Sequence, residues 1–322
     1  MTAPGRRALP TAASKLLIVV VATLATLLAA EIATRLVYSR SDLGRLISFG
    51  SAPTRTVDGV VLWDSEDLRY DRSDLRRVAQ RADTFTVVGL GDSIMYGIEL
   101  PKSDTYLEQA RDILQRRLEQ PVEMINLAVR GYNTAQEDAV KELAPQLQPD
   151  FVIVHWWGDD ARRYRVVGNH VMDFGDVGPD GHVAGQALPI PAWLSERLLM
   201  YSRLYALLTQ LLVARHQQSQ PYDWAYVETA LADIHNRAQR SGAKMVILAS
   251  PSLSGPTPEA LPELVELRRF GTAHGIDVID LSEWFSGVPA TEVALDSCHF
   301  NAKGHAIIAA RLAEYMLADR SR

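Results

Sequence analysis

The sequence predicts an α/β fold, a three-layer α/β/α sandwich built on a mostly parallel sheet of about five strands and preceded by one N-terminal transmembrane helix. Two patterns support this prediction. From Thr84 onward, short apolar runs alternate with longer segments whose apolar residues recur at helical spacing. Near the N-terminus, a run without charged residues extends from Leu16 to Ala30. Because strands that alternate with helices pair in parallel, we expect helices on both faces of the sheet.

The composition is that of an ordinary globular protein. The 322 residues are 47% hydrophobic and 22% charged, and the formal net charge is -6 at pH 7. Basic residues form no stripe or run, which argues against nucleic acid as a partner. Cys298 is the one cysteine of the chain, so neither an intrachain disulfide nor a cysteine-rich metal site can form.

The N-terminal segment predicts a membrane anchor at residues 16–38, preceded by a cytoplasmic tail at residues 1–15. As a helix, the anchor is long enough to cross about 30 Å of hydrocarbon if Glu31 and Arg35 lie at the interface, where their four-residue spacing lets them pair. A cleaved signal peptide is the alternative, but the small residues that cleavage needs are poorly placed. Because a short head precedes the anchor and a large body follows it, we expect an extracytoplasmic body, periplasmic or extracellular.

The remaining chain divides into a connecting segment and a body. Residues 39–83 are polar and poorly periodic, and we expect them to tether the anchor to the body. Residues 84–322 form the predicted α/β domain, with an insertion at about 161–216. Residues 161–190 are glycine-rich without a clear period, which predicts a cap over the site or a loop. Residues 193–216 predict an apolar helix that packs against the body or, alternatively, forms an acyl-binding wall or a second membrane contact.

Chemically active side chains follow the predicted strands. In an open parallel sheet, ligands bind outside the carboxyl ends of the strands, so these residues should meet at one edge. They are Gly91, Asp92 and Ser93 after the first apolar run, Gly131 and Asn133 after the second, Gly158, Asp159 and Asp160 after the third, and the segment Asp296–His305 before the last helix. The set offers a nucleophile, backbone donors, carboxylates and a base.

Ser93 either attacks a substrate or only caps the helix that follows it, since serine is a favoured helix N-cap. As a nucleophile it needs a base within hydrogen-bond reach, and the base needs a carboxylate that fixes its tautomer. Asp296 and His299 stand three residues apart at a helix entry. They are close enough in the chain to form that pair.

Four sequence blocks resemble those of the SGNH hydrolases, also called the GDSL esterase/lipase family. They are GDSIMYG, NLAVRGYNTAQ, WWGDD and DSCHFNAKGH, in the order and approximate spacing of the family. The resemblance spans about Thr84 to Asp319. The lead-in DSEDLRYDR, which precedes this region, resembles that of membrane-anchored bacterial members. It implies the flavodoxin-like SGNH hydrolase fold and ester hydrolysis without a metal or a cofactor.

The resemblance also implies a role for each matching residue. Ser93 attacks an ester carbonyl, His299 is its general base, and Asp296 orients His299. The implied oxyanion hole uses the backbone N–H groups of Ser93 and Gly131 and an asparagine side chain in the third block. In this chain Asp159 occupies the asparagine position.

This departure from the family pattern bears directly on activity. An ionised carboxylate donates no hydrogen bond and repels an oxyanion. Three explanations stay open: Asp159 is held protonated by burial or by neighbouring Asp160, another donor such as Asn133 or Asn169 replaces it, or the site is slow or inactive.

Together these observations predict a membrane-tethered serine esterase that hydrolyses O-acyl esters, in particular O-acetyl esters on glycans. Three alternatives remain, and one of them is lipase or thioesterase activity, which the apolar segment from Leu198 to Ala214 supports. An O-acyltransferase would use the same triad with a sugar hydroxyl in place of water, and a catalytically impaired binding or assembly protein would keep the fold without the activity. The expected partners are an acyl-ester substrate and the membrane.

Overall fold

The structure is a computed structural model that describes residues 12–37, 54–57, 60–63, 83–129, 131–140, 147–167, 170–173, 182–186, 188–218 and 222–320. Most of the predicted tether and of the predicted cytoplasmic tail therefore lies outside the described residues. Within the predicted tether, the structure describes a two-stranded antiparallel hairpin.

The strands and helices follow one another along the chain as listed here. The strands are β1 (Thr54–Val57), β2 (Val60–Trp63), β3 (Phe85–Leu90), β4 (Val122–Asn126), β5 (Phe151–Trp156), β6 (Tyr164–Val167), β7 (His170–Asp173), β8 (His182–Gln186), β9 (Lys244–Ala249) and β10 (Asp277–Asp280). The α-helices are α1 (Ala12–Val37), α2 (Ser93–Tyr96), α3 (Tyr106–Gln115), α4 (Thr134–Val140), α5 (Ala192–Tyr201), α6 (Arg203–Gln218), α7 (Trp224–Arg240), α8 (Leu264–His274), α9 (Leu281–Trp284), α10 (Ala290–Val293) and α11 (Ala302–Arg320).

Five strands form the central sheet in the order β10-β9-β5-β3-β4, and each neighbouring pair is parallel. The predicted five-stranded parallel sheet is confirmed. Strands β3, β4 and β5 are buried along their whole length. This burial explains why the sequence shows them as nearly continuous apolar runs.

Helices cover both faces of this sheet, so the predicted three layers are also confirmed. On one face, α7 and α8 share a buried cluster with Val88 of β3 and Val154 of β5. On the other face, α3 and α11 share a second cluster with Val87 and Ile153. Successive strand residues therefore point into opposite layers, as the pleat requires.

Helix α1 has 26 residues and a mean hydropathy of 2.5 over its most apolar stretch, none of which is buried. By length and composition it fits a membrane span or a signal sequence. Its bounds agree with the predicted anchor at residues 16–38 to within four residues. Helix α1 belongs with α5 and α6 to one compact unit, and the central sheet with its covering helices forms another.

The predicted insertion differs from expectation in two ways. The single helix expected at residues 193–216 is broken at Ser202 into α5 and α6. Ser202 has extended dihedral angles, and its hydroxyl accepts a hydrogen bond from the Tyr205 N–H at 3.1 Å, so it ends one helix and caps the next. The glycine-rich residues 161–190, expected to form a cap over the site or a loop, contribute three short strands that their lack of a clear period does not predict, and these form a sheet in the order β6-β7-β8.

Gly271 on α8 packs against the loop and strand that follow that helix. A Cβ atom at this position would lie 2.5 Å from the Val278 side chain and 2.7 Å from the Ile276 carbonyl oxygen. We predict that Gly271→Ala lowers the free energy of unfolding by about 1–3 kcal/mol, the usual range for overpacking. Helix propensity alone would favour alanine by about 1 kcal/mol, so a loss must come from packing.

Urea unfolding of the full chain in detergent measures this effect. Gly185→Ala is the control, because nothing lies within 4 Å of a Cβ at that position. Equal unfolding free energies for the two variants would contradict the tight packing of α8.

Candidate active site

The loop after β3 places a buried serine at the edge of the sheet, and a neighbouring residue makes the helix cap. The Asp92 carboxylate accepts the Ile94 N–H at 2.8 Å and caps α2. Ser93 is the first residue of that helix and is 3% exposed. The cap that sequence reasoning offered as an alternative role for Ser93 is therefore made by Asp92, and the Ser93 hydroxyl is directed elsewhere.

The Ser93 hydroxyl meets the histidine that the sequence pairs with it. Ser93 Oγ lies 2.7 Å from His299 Nε2, and His299 Nδ1 lies 2.7 Å from Asp296 Oδ2. The other Asp296 oxygen accepts the backbone N–H groups of Cys298 at 2.9 Å and His299 at 2.8 Å. The local Asp-x-x-His turn thus fixes the carboxylate, and the carboxylate fixes the imidazole.

The charges in this row of side chains shift the two relevant pKa values in opposite directions. Burial disfavours the charged form of Asp296, but hydrogen bonds from the His299 ring and from two backbone N–H groups outweigh burial and lower its pKa. Burial would likewise lower the pKa of His299, but the hydrogen bond and charge of Asp296, with the charge of Asp92, raise it. Asp296 stays ionised and stabilises a protonated His299.

The second and third loops bring the remaining predicted residues to the same edge. Gly131 follows β4 with a φ of 78°, a left-handed conformation that suits glycine. Asn133 is fully buried and caps α4: its Oδ1 accepts the Gln136 N–H at 3.1 Å, and its Nδ2 donates to the Arg162 carbonyl at 3.2 Å. The Asn133 amide is therefore engaged in holding two loops together. Asn169 lies outside the described residues.

Asp159 is an exposed acceptor. Its side chain is 58% exposed, and its Oδ1 accepts a hydrogen bond from Arg162 Nε at 2.8 Å. Asp160 is fully buried and accepts the Trp157 N–H at 2.7 Å. The burial of Asp159 that one of the three explanations invokes is not present, because the carboxylate faces solvent and an arginine. Arg162, which also stacks over the Tyr222 ring at 5.3 Å, was not singled out by sequence reasoning.

A buried hydrogen-bonded row packs against the loop that carries Gly91 and Ser93. His155 accepts or donates at both ring nitrogens, to Tyr106 Oη at 2.8 Å and to Ser250 Oγ at 2.7 Å. Burial and nearby His305 lower the pKa of His155 to about 3, so the ring is neutral. A Cβ on Gly91 would come within 3.1 Å of the His155 Cβ. The partners of His155 are distant in the chain, so the sequence gives no local signal for this row.

Cys298, the one cysteine of the chain, lies in the turn that also carries Asp296 and His299, and the three side chains could in principle bind a metal ion. Among the described residues, ligand atoms of Asp296, Cys298 and His299 lie within 4.8 Å of one another, the one such group with three members. The His299 and Asp296 atoms of this group already bind each other. Burial and the charge of Asp296 raise the pKa of Cys298, which keeps it a neutral thiol and argues against a rival nucleophile.

Residues 90–307 match the sequence model of the GDSL-like Lipase/Acylhydrolase family. The chain belongs to this family. As a GDSL-like lipase/acylhydrolase it is a serine hydrolase of ester bonds, as the sequence blocks predict. None of the curated proteins matches it in sequence.

Solved structures that resemble this GDSL-like hydrolase include several described as esterases or lipolytic proteins. The acetyl xylan esterase AlAXEase is 13% identical with a TM-score of 0.45, covering 72% of this chain and 99% of its own. The psychrotrophic esterase EstA from Pseudoalteromonas sp. is 11% identical with a TM-score of 0.43, covering 74% and 99%. A putative lipolytic protein of the G-D-S-L family from Desulfitobacterium hafniense DCB-2 is 10% identical with a TM-score of 0.43, covering 71% and 98%.

The raised pKa of His299 generates a pH prediction. A general base must be neutral, so kcat/KM for p-nitrophenyl acetate should rise with pH through a midpoint above the ordinary histidine value of 6.5. Asp296→Asn should lower that midpoint, because the charge that raises the pKa is removed. The same change should reduce kcat about 1000-fold or more, because the amide favours the wrong imidazole tautomer.

Stopped spectrophotometric assays from pH 5 to 9 measure both effects, with the rate of Ser93→Ala subtracted as background. A parent midpoint at or below 6.5, or an unchanged midpoint in Asp296→Asn, would contradict this electrostatic coupling.

Proposed function

We propose that this protein is a membrane-tethered serine esterase that hydrolyses O-acyl esters with Ser93 as nucleophile, His299 as general base and Asp296 as the orienting carboxylate. The observation that carries the proposal is the pair of 2.7 Å contacts that link Ser93 Oγ to His299 and His299 to Asp296. A hydroxyl, an imidazole and a carboxylate in this row are the groups that activate a serine.

The proposed reaction has two halves. Ser93 Oγ attacks the ester carbonyl while His299 Nε2 takes its proton, and the resulting imidazolium is stabilised by Asp296. The tetrahedral intermediate collapses as His299 returns the proton to the leaving alcohol oxygen, which leaves an acyl-serine. Water, deprotonated by His299, then attacks the acyl-serine, and Ser93 recovers its proton as the acid leaves.

The oxyanion of this intermediate is proposed to bind the backbone N–H groups of Ser93 and Gly131. Within the described part of the chain, Asp159 supplies no third donor at the asparagine position, because its carboxylate is exposed and paired with Arg162. Loss of one such donor typically lowers turnover by about 100-fold to 1000-fold. We therefore propose a slow esterase rather than a fully efficient one.

We propose O-acetyl esters on glycans as the substrate class. Polar groups suited to a hydroxylated alcohol lie beside Gly158: the exposed Tyr222 and the buried Glu263 each place a polar atom within about 4 Å of a Cβ at that glycine, next to the apolar Leu261. Arg162 and Asp159 adjoin them. A few placed hydrogen-bonding side chains of this kind support a sugar rather than a long acyl chain as the group bound there.

The tether is proposed to be α1, with the N-terminus in the cytoplasm and the body outside it. Glu31 and Arg35 support a retained anchor over a cleaved signal peptide, because both side chains hydrogen bond to the junction between α5 and α6. A segment that is removed would leave these partners unsatisfied.

Labelling with a fluorophosphonate tests the nucleophile. We expect the parent protein to be labelled and Ser93→Ala to be unlabelled, with p-nitrophenyl acetate hydrolysis lost in the same variant. An unlabelled, inactive parent would favour the alternative of a binding or assembly protein. Transfer of acetyl groups to an added glycan without net hydrolysis would favour the acyltransferase.

Replacement of Asp159 tests the oxyanion hole. Asp159→Asn supplies the missing donor and removes a repelling charge, so we expect kcat to rise by about tenfold or more. Asp159→Ala is the matched control, since it removes the charge without supplying a donor. Equal gains would assign the whole effect to charge, and no gain in either variant would place Asp159 away from the oxyanion.

A further inference from the structure

The end of α1 is joined by hydrogen bonds to the junction between α5 and α6. The Glu31 carboxylate accepts the Ser202 hydroxyl at 2.8 Å and the backbone N–H groups of Arg203 at 3.0 Å and Leu204 at 2.9 Å. The last two belong to the first turn of α6, where N–H groups have no acceptor within the helix, so Glu31 acts as a helix cap supplied from another helix.

Arg35 also hydrogen bonds at this junction. Its Nε donates to Glu31 at 2.7 Å, and its Nη2 donates to the Tyr201 carbonyl at the end of α5 at 2.7 Å. In return, Arg203 Nη1 donates to the Arg35 carbonyl at 3.1 Å. The end of one helix and the start of the next are thus both fixed to one turn of α1.

Helix α6 presents two unlike faces after this junction. Ala206 and Thr209 are buried. Leu208, Leu211 and Leu212 form a stripe at helical spacing and are 48%, 60% and 46% exposed. The apolar residues of α1 from Leu16 to Val21 are exposed to a similar degree, 46% to 66%.

The length of the uncharged part of α6 restricts what its exposed stripe can face. Leu204 to Ala214 carries no charged residue, and as a helix it is about 16 Å long, roughly half the thickness of a bilayer core. Such a segment is too short to span, and the exposure of its leucines excludes a purely buried core helix. The remaining possibility is that α6 lies along the interface between the membrane and water.

The junction also fixes the depth of the stripe. Leu208 lies five residues after Arg203, and Leu212 nine, so at 1.5 Å per residue both lie within about 14 Å along the axis of α6 from the residue that Glu31 caps. On α5, Trp193 and Tyr201 are exposed. Exposed tryptophan and tyrosine are typical of the headgroup level of a membrane.

We propose that α5 and α6 form a second membrane contact, in which the Leu208, Leu211 and Leu212 stripe inserts into the acyl chains of the leaflet that surrounds the end of α1. The inference rests on the proposed tether. The lipid bilayer is the proposed occupant because the stripe is fixed to α1 at the turn where its apolar run ends.

Site-specific fluorescence in vesicles tests this contact with the full chain. Leu208→Cys and Leu211→Cys, each in a Cys298→Ser background, are labelled with an NBD fluorophore and reconstituted in phosphatidylcholine vesicles. We expect nitroxide-labelled lipids to quench both labels at least about twofold, as for a probe in acyl chains. Val265→Cys on α8, also an exposed apolar position at 71%, is the matched control and should not be quenched.

The outcomes separate this inference from the tether itself. Failure of the protein to float with vesicles would overturn the tether. Flotation with labels at positions 208 and 211 that stay in a water-like environment would overturn the second contact. A blue-shifted emission without nitroxide quenching would also overturn it, and would assign the stripe to a second copy of the chain.

Discussion

The contact between Ser93 and His299 is the interaction on which the rest of the candidate site depends, since it joins residues 206 positions apart in the chain. Two packing features hold its ends. Burial of β3 on both faces sets the point where the Ser93 loop leaves the sheet, and packing of α11 against α3 sets the loop that carries His299. Reacting groups lose efficiency when they move by about 1 Å, so core packing on this face of the sheet is part of the chemistry.

The Asp296 carboxylate contributes to this geometry more than to stability. Its side chain is 51% exposed, and an ion pair with that exposure is worth little to folding. Its direction is nevertheless fixed, because Oδ1 accepts two backbone N–H groups of its own turn while Oδ2 meets His299. A half-exposed carboxylate can therefore orient a base without a large folding contribution.

The sequence predicts those features that depend on residues close together in the chain. The apolar runs predict the parallel sheet, and the Asp-x-x-His spacing predicts the contact between residues 296 and 299. Asp92 as the helix cap also involves near neighbours, but a serine and an aspartate at adjacent positions suit that role equally well, and only geometry separates them. The pairing of Asp159 with Arg162 depends on the turn that the loop adopts, and the row from Tyr106 through His155 to Ser250 joins three elements. Neither the Asp159–Arg162 pair nor this row produces a periodic pattern in the sequence.

The break between α5 and α6 belongs with these long-range effects. Residues 193–216 are apolar and regular enough for one helix, and nothing local forbids it. Ser202 accepts the Tyr205 N–H and donates to Glu31, an acid of α1 that is 171 residues away. A carboxylate near the end of an apolar helix needs donors, and an unbroken helix would offer only the side chain, because its interior N–H groups are already bonded. Ending α5 and restarting α6 at this point frees two backbone N–H groups for Glu31. Helix α1 thus explains a feature of the insertion that the insertion's own sequence does not predict.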